Sequence, residues 1–301
     1  MSQKNILHML TPLKHVSPFD VNMGLDAGYD AVVPYEEVEL SEVGDLVQDA
    51  IFSRPPKWGV STGIFIGGDD AVLALEMIDK AKAALVPPFG ANIFADPAGS
   101  FTTAAAMVAC VEKVLKDKKG RSLDGLQIAV FGATGVVGYC AAVIAALEGA
   151  KVTMVGYSGL ARVEERARQI NERFGVMVDI ADGSTRDKNT AAVHEAEVVF
   201  AAAKAGVRVL DASQLAEAPK LLAAADVNAV PPSGIEGIDV FDNGKLIGAT
   251  QALGVGALAI GNVKYQTESG LFRRMIEADK PQVLDFRDAF ELARTLVPAS
   301  S

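Results

Sequence analysis

The feature that most restricts the fold is an apolar run followed by a glycine-rich turn and an apolar helix. Leu126–Phe131 contains no charged residue, which is typical of a strand buried inside a parallel sheet. Gly132-Ala133-Thr134-Gly135-Val136-Val137-Gly138 comes next, and Val136–Leu147 is expected to be helical. Such glycines let the backbone approach a pyrophosphate, and the helix N-terminus offers it free N–H groups. Residues 132–138 are therefore predicted to bind a dinucleotide; a tight turn without ligand is the alternative, because the spacing is G-x-x-G-x-x-G rather than G-x-G-x-x-G.

Strand-like and helix-like segments alternate along the chain, which indicates βαβ units and a mostly parallel sheet. We expect an α/β fold with two domains, a Rossmann-type parallel-sheet dinucleotide domain and an N-terminal α/β substrate domain. The substrate domain is expected at residues 1–118, joined by C-terminal helices within 265–301, and the Rossmann domain at 119–264. Predicted strands are 5–10, 31–34, 61–66, 92–95, 126–131, 151–155, 176–180, 198–202 and 221–225; predicted helices are 17–27, 42–51, 71–85, 102–115, 136–147, 160–174, 265–275 and 286–296.

Charge and composition exclude several classes of partner. The 301 residues include 28 basic and 38 acidic ones, for a formal net charge of −10. Nucleic acid and anionic lipid both attract basic surfaces, so neither is an expected partner. We expect no membrane-spanning segment and no signal peptide, and hence a cytoplasmic protein. Two cysteines and three widely separated histidines give no metal-ligand spacing, so no metal is expected.

The segment after the second Rossmann strand bears on which dinucleotide binds. NAD-selective sites usually place Asp or Glu there to bind the ribose 2′-hydroxyl. This chain has Gly156-Tyr157-Ser158-Gly159 instead. Ser158 is able to bond a hydroxyl or a phosphate and Arg162 to pair with a phosphate, so NAD or NADP is expected, with a solvated Arg162 as the alternative. Asn228, which follows a late strand, is expected beside the nicotinamide.

Polar residues also follow other predicted strands, at the sheet edge where ligands bind. Lys14 and His15 come after the first strand, and Asp20 lies in the first predicted helix. Thr102 begins a later helix, and Lys264 is the last basic residue before the C-terminal helices. For each of these side chains, capping of a helix or exposure to solvent is the alternative to a role in binding.

Six long segments of unusual sequence carry a family resemblance, namely ILHMLTPLKHVSPFDVNMGLDAGYD, QDAIFSRPP, TGIFIGG, FADPAGSFTTAAAMVA, DVNAVPPSGIEGID and GALAIGNVKYQT. With them the chain resembles, over essentially its whole length, the bacterial NAD(P)-dependent methylene-tetrahydromethanopterin dehydrogenases, particularly the branch that accepts both NAD and NADP. The resemblance implies a homo-oligomer, with a trimer or a hexamer expected. It also implies oxidation of one-carbon units derived from formaldehyde. The NADP-restricted branch has a basic pair where this chain has Tyr157-Ser158, so strict NADP specificity is not expected.

The resemblance further implies roles for single residues. Asp20, Thr102 and Lys264 match family positions near the pterin, and residues 132–138 match the cofactor loop. The reaction removes a hydride from a CH2 group between two nitrogens, and it needs no general acid or base. Asp20 is expected to stabilise the developing positive charge and Lys264 to orient the pterin. Lys14 is expected to bind the anionic tail of the substrate.

Three other functions fit the same residues. A dehydrogenase for the folate-linked one-carbon unit performs the same chemistry on a different pterin. A dehydrogenase acting on a carbonyl substrate needs a base, for which Lys14 with His15 is the available pair. A non-catalytic sensing module would bind NADP(H) without turnover.

Overall fold

The structure is a computed structural model that describes residues 3–299. The chain divides into two compact units. The first contains the residues up to Thr102 together with Tyr265–Leu292, and the second contains Thr103–Lys264 and the residues from Ala293 onward. The predicted joint at 118/119 lies at the end of the helix Ser100–Lys119, whereas the division between the units lies near its start. The assignment of substrate and dinucleotide to separate domains stays a prediction.

The first unit is built on a five-stranded sheet in which all neighbouring strands are parallel. The strands are β1 (Ile6–Leu10), β2 (Ala31–Tyr35), β3 (Thr62–Ile66), β4 (Asn92–Ala95) and β12 (Val283–Leu284), in the order β12-β4-β3-β1-β2. The unit contains α1 (Pro18–Ala27), α2 (Val43–Phe52), α3 (Ala71–Ala83) and parts of α4 (Ser100–Lys119), α9 (Ala257–Glu277) and α10 (Phe286–Leu296). Every residue of β3 is buried, as its apolar sequence and central position require.

Residues from late in the chain complete this N-terminal sheet. The ring of Phe272 packs against Phe65 and Phe94, with centroids 5.3 and 5.2 Å apart. The backbone N–H of Gln282 donates to the Asn92 side chain at 2.8 Å, across 190 positions of sequence. Phe272 and Gln282 thus pack within the first unit, and the expected domain that joins 1–118 with 265–301 stays a prediction.

The second unit contains a seven-stranded sheet. Its parallel strands are β5 (Gln127–Phe131), β6 (Lys151–Gly156), β7 (Val178–Asp182), β8 (Val198–Ala201), β9 (Ala223–Asp226) and β11 (Leu253–Val255), and β10 (Asn243–Leu246) is antiparallel to β11. The helices are α5 (Val136–Leu147), α6 (Leu160–Phe174), α7 (Arg186–His194) and α8 (Ala212–Ala216), with the remaining parts of α4, α9 and α10. The order is β10-β11-β9-β8-β5-β6-β7. The predicted α/β fold with parallel sheets is confirmed, and the order reverses between β5 and β8, where ligands of such sheets bind.

The sequence patterns find most elements to within a few residues, and α5 and α6 have the predicted bounds. The predicted start of α9 at Tyr265 is wrong, because the helix begins at Ala257. No bounds are predicted for α7, which is polar, and the patterns miss β10, β11, β12 and α8. With two to five residues each, β11, β12 and α8 are too short to show a hydrophobic period, and β10 contains one apolar residue.

The longest apolar helix corrects the expectation that no segment has membrane length. Pro97–Lys119, which joins a short 3-10 turn to α4, is long and apolar enough to cross a membrane by length and composition alone. However, 72% of its most apolar window is buried within the structure. A core helix in a folded protein meets the same criterion, and burial is the reason that this helix is so apolar.

Candidate dinucleotide site

The loop between β5 and α5 turns tightly, and two of its glycines are required by their surroundings. Gly132 has a φ of 73°, and a Cβ atom there would lie 2.3 Å from the carbonyl oxygen of Ala202, just after β8. A Cβ atom on Gly138 would lie 2.4 Å from the carbonyl oxygen of Gly132. The first glycine therefore allows the left-handed turn beside β8, and the last allows the helix to pack on the turn.

The N-terminus of α5 is open to a ligand. Gly135 is the N-cap residue, and no side chain caps the helix there. A Cβ atom on Gly135 would meet nothing closer than 3.5 Å, so space lies in front of the helix. Uncapped N–H groups and the positive end of the helix dipole suit a pyrophosphate. The loop residues thus fit the dinucleotide for which the sequence predicts them.

A cavity of about 440 Å³ opens beside this loop, within the second unit. Gly132, Thr134 and Gly135 line it from the loop, and Tyr157 lines it from the end of β6. Lys204 lines it from the segment after β8. The cavity therefore lies beyond the carboxyl ends of the strands that flank the switch point, where the fold predicts the dinucleotide.

The residues predicted to contact the adenosine ribose differ in whether they line this cavity. Tyr157 is 81% exposed and lines the cavity, and Ser158 beside it is also exposed. Arg162 on α6 is exposed, does not line the cavity, and makes no hydrogen bond or ion pair among residues 3–299. Contact of Arg162 with the dinucleotide stays a prediction. Arg208, which does line the cavity, has no distinguishing sequence signal.

The predicted nicotinamide residue, Asn228, holds two loops together. Its Oδ1 accepts the backbone N–H groups of Gly206 and Val230, and its Nδ2 donates to the carbonyl of Pro232 at 2.9 Å. The side chain is thus engaged within the protein. Its position after β9 is as predicted, but direct contact with the dinucleotide stays a prediction.

Asp226, which sequence reasoning does not single out, supports the same loop from the end of β9. Its buried carboxylate accepts the backbone N–H groups of Asn228 at 2.9 Å and Ile235 at 3.1 Å. Burial raises the pKa of this carboxyl, and the backbone hydrogen bonds oppose the rise. In the sequence, an Asp at the end of a strand that is followed by Asn and prolines is the signal that indicates a loop held in this way.

Three of the predicted pterin residues belong to the first unit. Asp20 is only 4% exposed and lies in the first turn of α1, where the Ser17 side chain caps the helix. Lys14 is exposed in the loop after β1, and the neighbouring His15 lies 3.7 Å from Glu36. The first unit therefore presents an exposed cation and a buried carboxylate after the same strand.

Thr102, the third of these residues, is completely buried. Its hydroxyl donates to the carboxylate of Asp96 at 2.5 Å, and its backbone N–H donates to the same carboxylate at 3.1 Å. Asp96 also accepts the backbone N–H of Phe101 at 2.7 Å. This side chain holds the turn into α4, and its direct contact with substrate stays a prediction.

Lys264 belongs to the second unit and is half-buried within α9. Its place on a helix, rather than in the predicted loop, fixes its backbone. Among residues 3–299 no group of three or more His, Cys, Asp and Glu side chains is arranged to hold a metal ion. Cys110 and Cys140 are buried and are not joined by a disulfide, and burial raises the pKa of the Cys110 thiol to about 12.

Comparisons with known proteins agree with the family resemblance. A family model described as "Methylene-tetrahydromethanopterin dehydrogenase, N-terminal" matches residues 18–98. A Methylorubrum extorquens protein named "NAD(P)-dependent methylenetetrahydromethanopterin dehydrogenase" is 55% identical over 290 residues, which are 96% of this chain and 98% of that protein. A second protein of that organism, named "Bifunctional protein MdtA", is 34% identical over 280 residues, which are 93% of this chain and 94% of that protein.

A solved structure supports the fold. Quinate dehydrogenase from Corynebacterium glutamicum in complex with NAD has a TM-score of 0.53 and 15% identity, covering 96% of this chain and 98% of that one. At this identity the likeness concerns the fold alone. The identity to the first Methylorubrum protein extends over nearly the full length of both chains. The chain therefore belongs to the family of NAD(P)-dependent methylenetetrahydromethanopterin dehydrogenases.

Proposed function

We propose that this chain oxidises 5,10-methylene-tetrahydromethanopterin to the methenyl cation, with NAD(P)+ as the hydride acceptor, in one-carbon (formaldehyde) oxidation. The observation that carries the proposal is the 55% identity over 96% of the chain to a protein named for this activity. The open helix N-terminus behind the glycine loop supports it, because a dinucleotide needs such a site. The nicotinamide, when bound, takes up the two electrons and the hydrogen nucleus that leave the methylene carbon.

The residues of this chain would bind and orient the two reactants. Thr134 and Gly135 border the cavity where the loop would hold the pyrophosphate. Asp20, a buried carboxylate, would stabilise the positive charge that develops on the pterin. Lys264 would orient the pterin by hydrogen bonding, and the exposed Lys14 would attract the anionic tail of the substrate. No proton moves in this step, so the reaction needs no general base.

The organisation of the active protein is part of the same proposal. The N-terminal domain, 1–118 with 265–301, would bind the pterin, and the domain at 119–264 would bind the dinucleotide. The family resemblance favours a homo-oligomer, trimeric or hexameric, in the cytoplasm. The net charge of −10 favours small-molecule partners over nucleic acid or a membrane surface.

Turnover with two pterins and two dinucleotides tests the activity. Methylene-tetrahydromethanopterin and methylene-tetrahydrofolate are each mixed with NAD and with NADP, and reduced nicotinamide is followed by absorbance. We expect turnover with the methanopterin in the presence of either dinucleotide. Turnover with the folate alone would assign the rival dehydrogenase, and dinucleotide binding without any turnover would assign the sensing module.

The role of Asp20 is tested by comparison with a second Asp on the same helix. Asp20→Asn preserves shape but removes charge, and we expect kcat/KM for the pterin to fall about a hundredfold. Asp26→Asn is the matched control, because Asp26 is exposed on α1. Full kcat/KM in folded Asp20→Asn protein would remove Asp20 from the mechanism.

A further inference from the structure

A second cavity, of about 280 Å³, adjoins the dinucleotide cavity in the second unit. The residues that line both cavities are Tyr157, Gly183, Asn189, Arg208 and Val209. The second cavity extends towards the start of α7, where Ser184, Thr185 and Arg186 line it. Tyr157 lies just beyond β6, where the adenosine ribose binds in folds of this kind. A group attached to that ribose is therefore within reach of the second cavity.

Hydrogen bonds hold the Arg186 side chain beside this cavity, and they use only some of its N–H groups. Its Nε and one of its Nη atoms donate to the Asp211 carboxylate at 3.0 to 3.1 Å. The same Nη donates to the Ser213 hydroxyl at 2.5 Å. The other Nη atom makes no hydrogen bond with residues 3–299. The side chain is thus held in place by one edge of its guanidinium, and two N–H donors remain.

Arg208 is anchored in the same manner from the segment after β8. Its Nε donates to the Ser233 carbonyl at 2.6 Å, and one Nη lies 3.1 Å from the Glu236 carboxylate. Its second Nη has no hydrogen-bond partner within the described part of the chain. A guanidinium that is already fixed loses little side-chain entropy when it binds a further anion.

We propose that Arg186 and Arg208 bind the 2′-phosphate of NADP in this second cavity. The inference rests on the proposed function and specifies which side chains of its dinucleotide site bind the group at the ribose 2′ position. The Gly156–Gly159 segment carries no acid to repel a phosphate, and the exposed Arg162 lines neither cavity. The remaining N–H donors of the two guanidinium groups match the acceptor oxygens of a phosphate.

The same arrangement explains why NAD is accepted as well. Asp211 and Glu236 already pair with the two arginines, so a 2′-hydroxyl leaves no unpaired cation beside the ribose. A phosphate adds hydrogen bonds to the remaining donors without displacing these carboxylates. Asp211 lines this cavity as well, but its carboxylate is paired with Arg186, whereas an unpaired carboxylate on the ribose rejects the phosphate.

Binding of two small nucleotides that differ only in the 2′-phosphate tests this inference. Titration calorimetry compares adenosine 2′,5′-bisphosphate with adenosine 5′-monophosphate on the full chain without pterin. In Arg186→Gln we expect the Kd of the bisphosphate to rise at least about tenfold, the loss expected for one charge-assisted hydrogen bond. The Kd of the monophosphate should change less than about twofold. Arg168→Gln is the matched control, an exposed arginine on α6 that pairs with Glu165 and Glu172.

Arg208→Gln provides a second, independent variant if loss of the Asp211 contact unfolds the Arg186 variant, and thermal melting identifies that case. Equal weakening of both nucleotides would assign the cavity to adenine and overturn the inference. Unchanged bisphosphate affinity in either folded variant, or a loss in Arg162→Gln instead, would overturn it as well. Because no pterin is present, these results are separate from the turnover assay, whose failure concerns the proposed reaction alone.

Discussion

At the scale of single residues, the glycines of the 132–138 loop differ in what a methyl group would meet. Gly132 is confined by its positive φ and by the backbone of Ala202, whereas a Cβ atom on Gly135 would make only an ordinary contact, 3.5 Å from the Gly132 carbonyl oxygen. We expect Gly132→Ala to destabilise the protein by about 3 kcal/mol or more. Gly135→Ala should lower the free energy of unfolding by only about 1 kcal/mol, because Ala is a poorer N-cap residue than Gly. Yet it should weaken dinucleotide binding, because its methyl group occupies the space in front of α5.

Urea unfolding and nucleotide titration separate these two effects. Gly149→Ala is not a useful control, because a Cβ there would lie 2.3 Å from the Asp124 carboxylate. Gly44 is better, since a Cβ atom on it would meet nothing within 4 Å. Normal nucleotide affinity in folded Gly135→Ala protein would contradict the placement of a pyrophosphate at this helix.

His8 is a residue whose protonation should affect stability. It is half-buried on β1, with its Nδ1 3.1 Å from the Tyr35 hydroxyl. Burial chiefly, and the nearby Arg54 in addition, lower its pKa below 6.5. Between that lowered pKa and 6.5 the unfolded chain binds more protons than the folded one, so stability is retained above about pH 6.5 and lost as pH falls through the folded pKa.

We expect His8→Gln to lose less stability than the parent protein between pH 8 and pH 5.5. The measurement is the midpoint of urea unfolding at each pH. His194→Gln is the control, because His194 is exposed and pairs with Glu195 on the surface. The explanation fails if His8→Gln and the parent protein show the same pH dependence.

At the scale of elements, the start of α4 depends on one buried carboxylate. Asp96 accepts two backbone N–H groups and the Thr102 hydroxyl, all of them buried. Asp96→Ala removes this acceptor from the two backbone N–H groups, while the Thr102 hydroxyl keeps the Gly99 carbonyl at 3.3 Å. We expect a loss of about 3 kcal/mol or more in the free energy of unfolding. Thr102→Val removes one donor and should cost about 1–2 kcal/mol.

The double variant provides the check on this pair. Because Thr102 acts through Asp96, the two losses should not add, and urea unfolding of both single variants and the double variant measures the coupling. Additive losses would mean that the two side chains act independently. A large fall in kcat with little loss of stability in Thr102→Val would instead support the predicted contact with the pterin.

Elements with a long, clear hydrophobic period are predictable from the sequence, and short ones are not. The helices Val136–Leu147 and Leu160–Phe174 have their predicted bounds, and the glycine loop stands where the sequence predicts it. Residues 257–264 are expected to form a loop, because Gly254, Gly256 and Gly261 mask the start of the helix. Arg186 and Arg208 escape sequence reasoning for another reason. Only the folded sheet brings the segments after β7 and β8 to one cavity.

At the scale of the whole molecule, the first unit is discontinuous in sequence. Phe272, from the late segment, is fully buried among aromatic rings of β3 and β4. We expect Phe272→Ala to lower the free energy of unfolding by about 3–5 kcal/mol. Phe241→Ala is the control, because Phe241 is 70% exposed and its loss should cost less than about 0.5 kcal/mol. Equal effects in chemical unfolding would contradict the role of residues 265–292 in this unit.

The discontinuity has a consequence during synthesis. The first four strands of the N-terminal sheet leave the ribosome long before β12 and Phe272, which complete their unit. At common translation rates the intervening segment takes roughly ten to thirty seconds to make. During that time the rings of Phe65 and Phe94 lack their partner, and the edge of β4 is open. The nascent chain should therefore need a chaperone over this interval more than proteins whose N-terminal domain is contiguous.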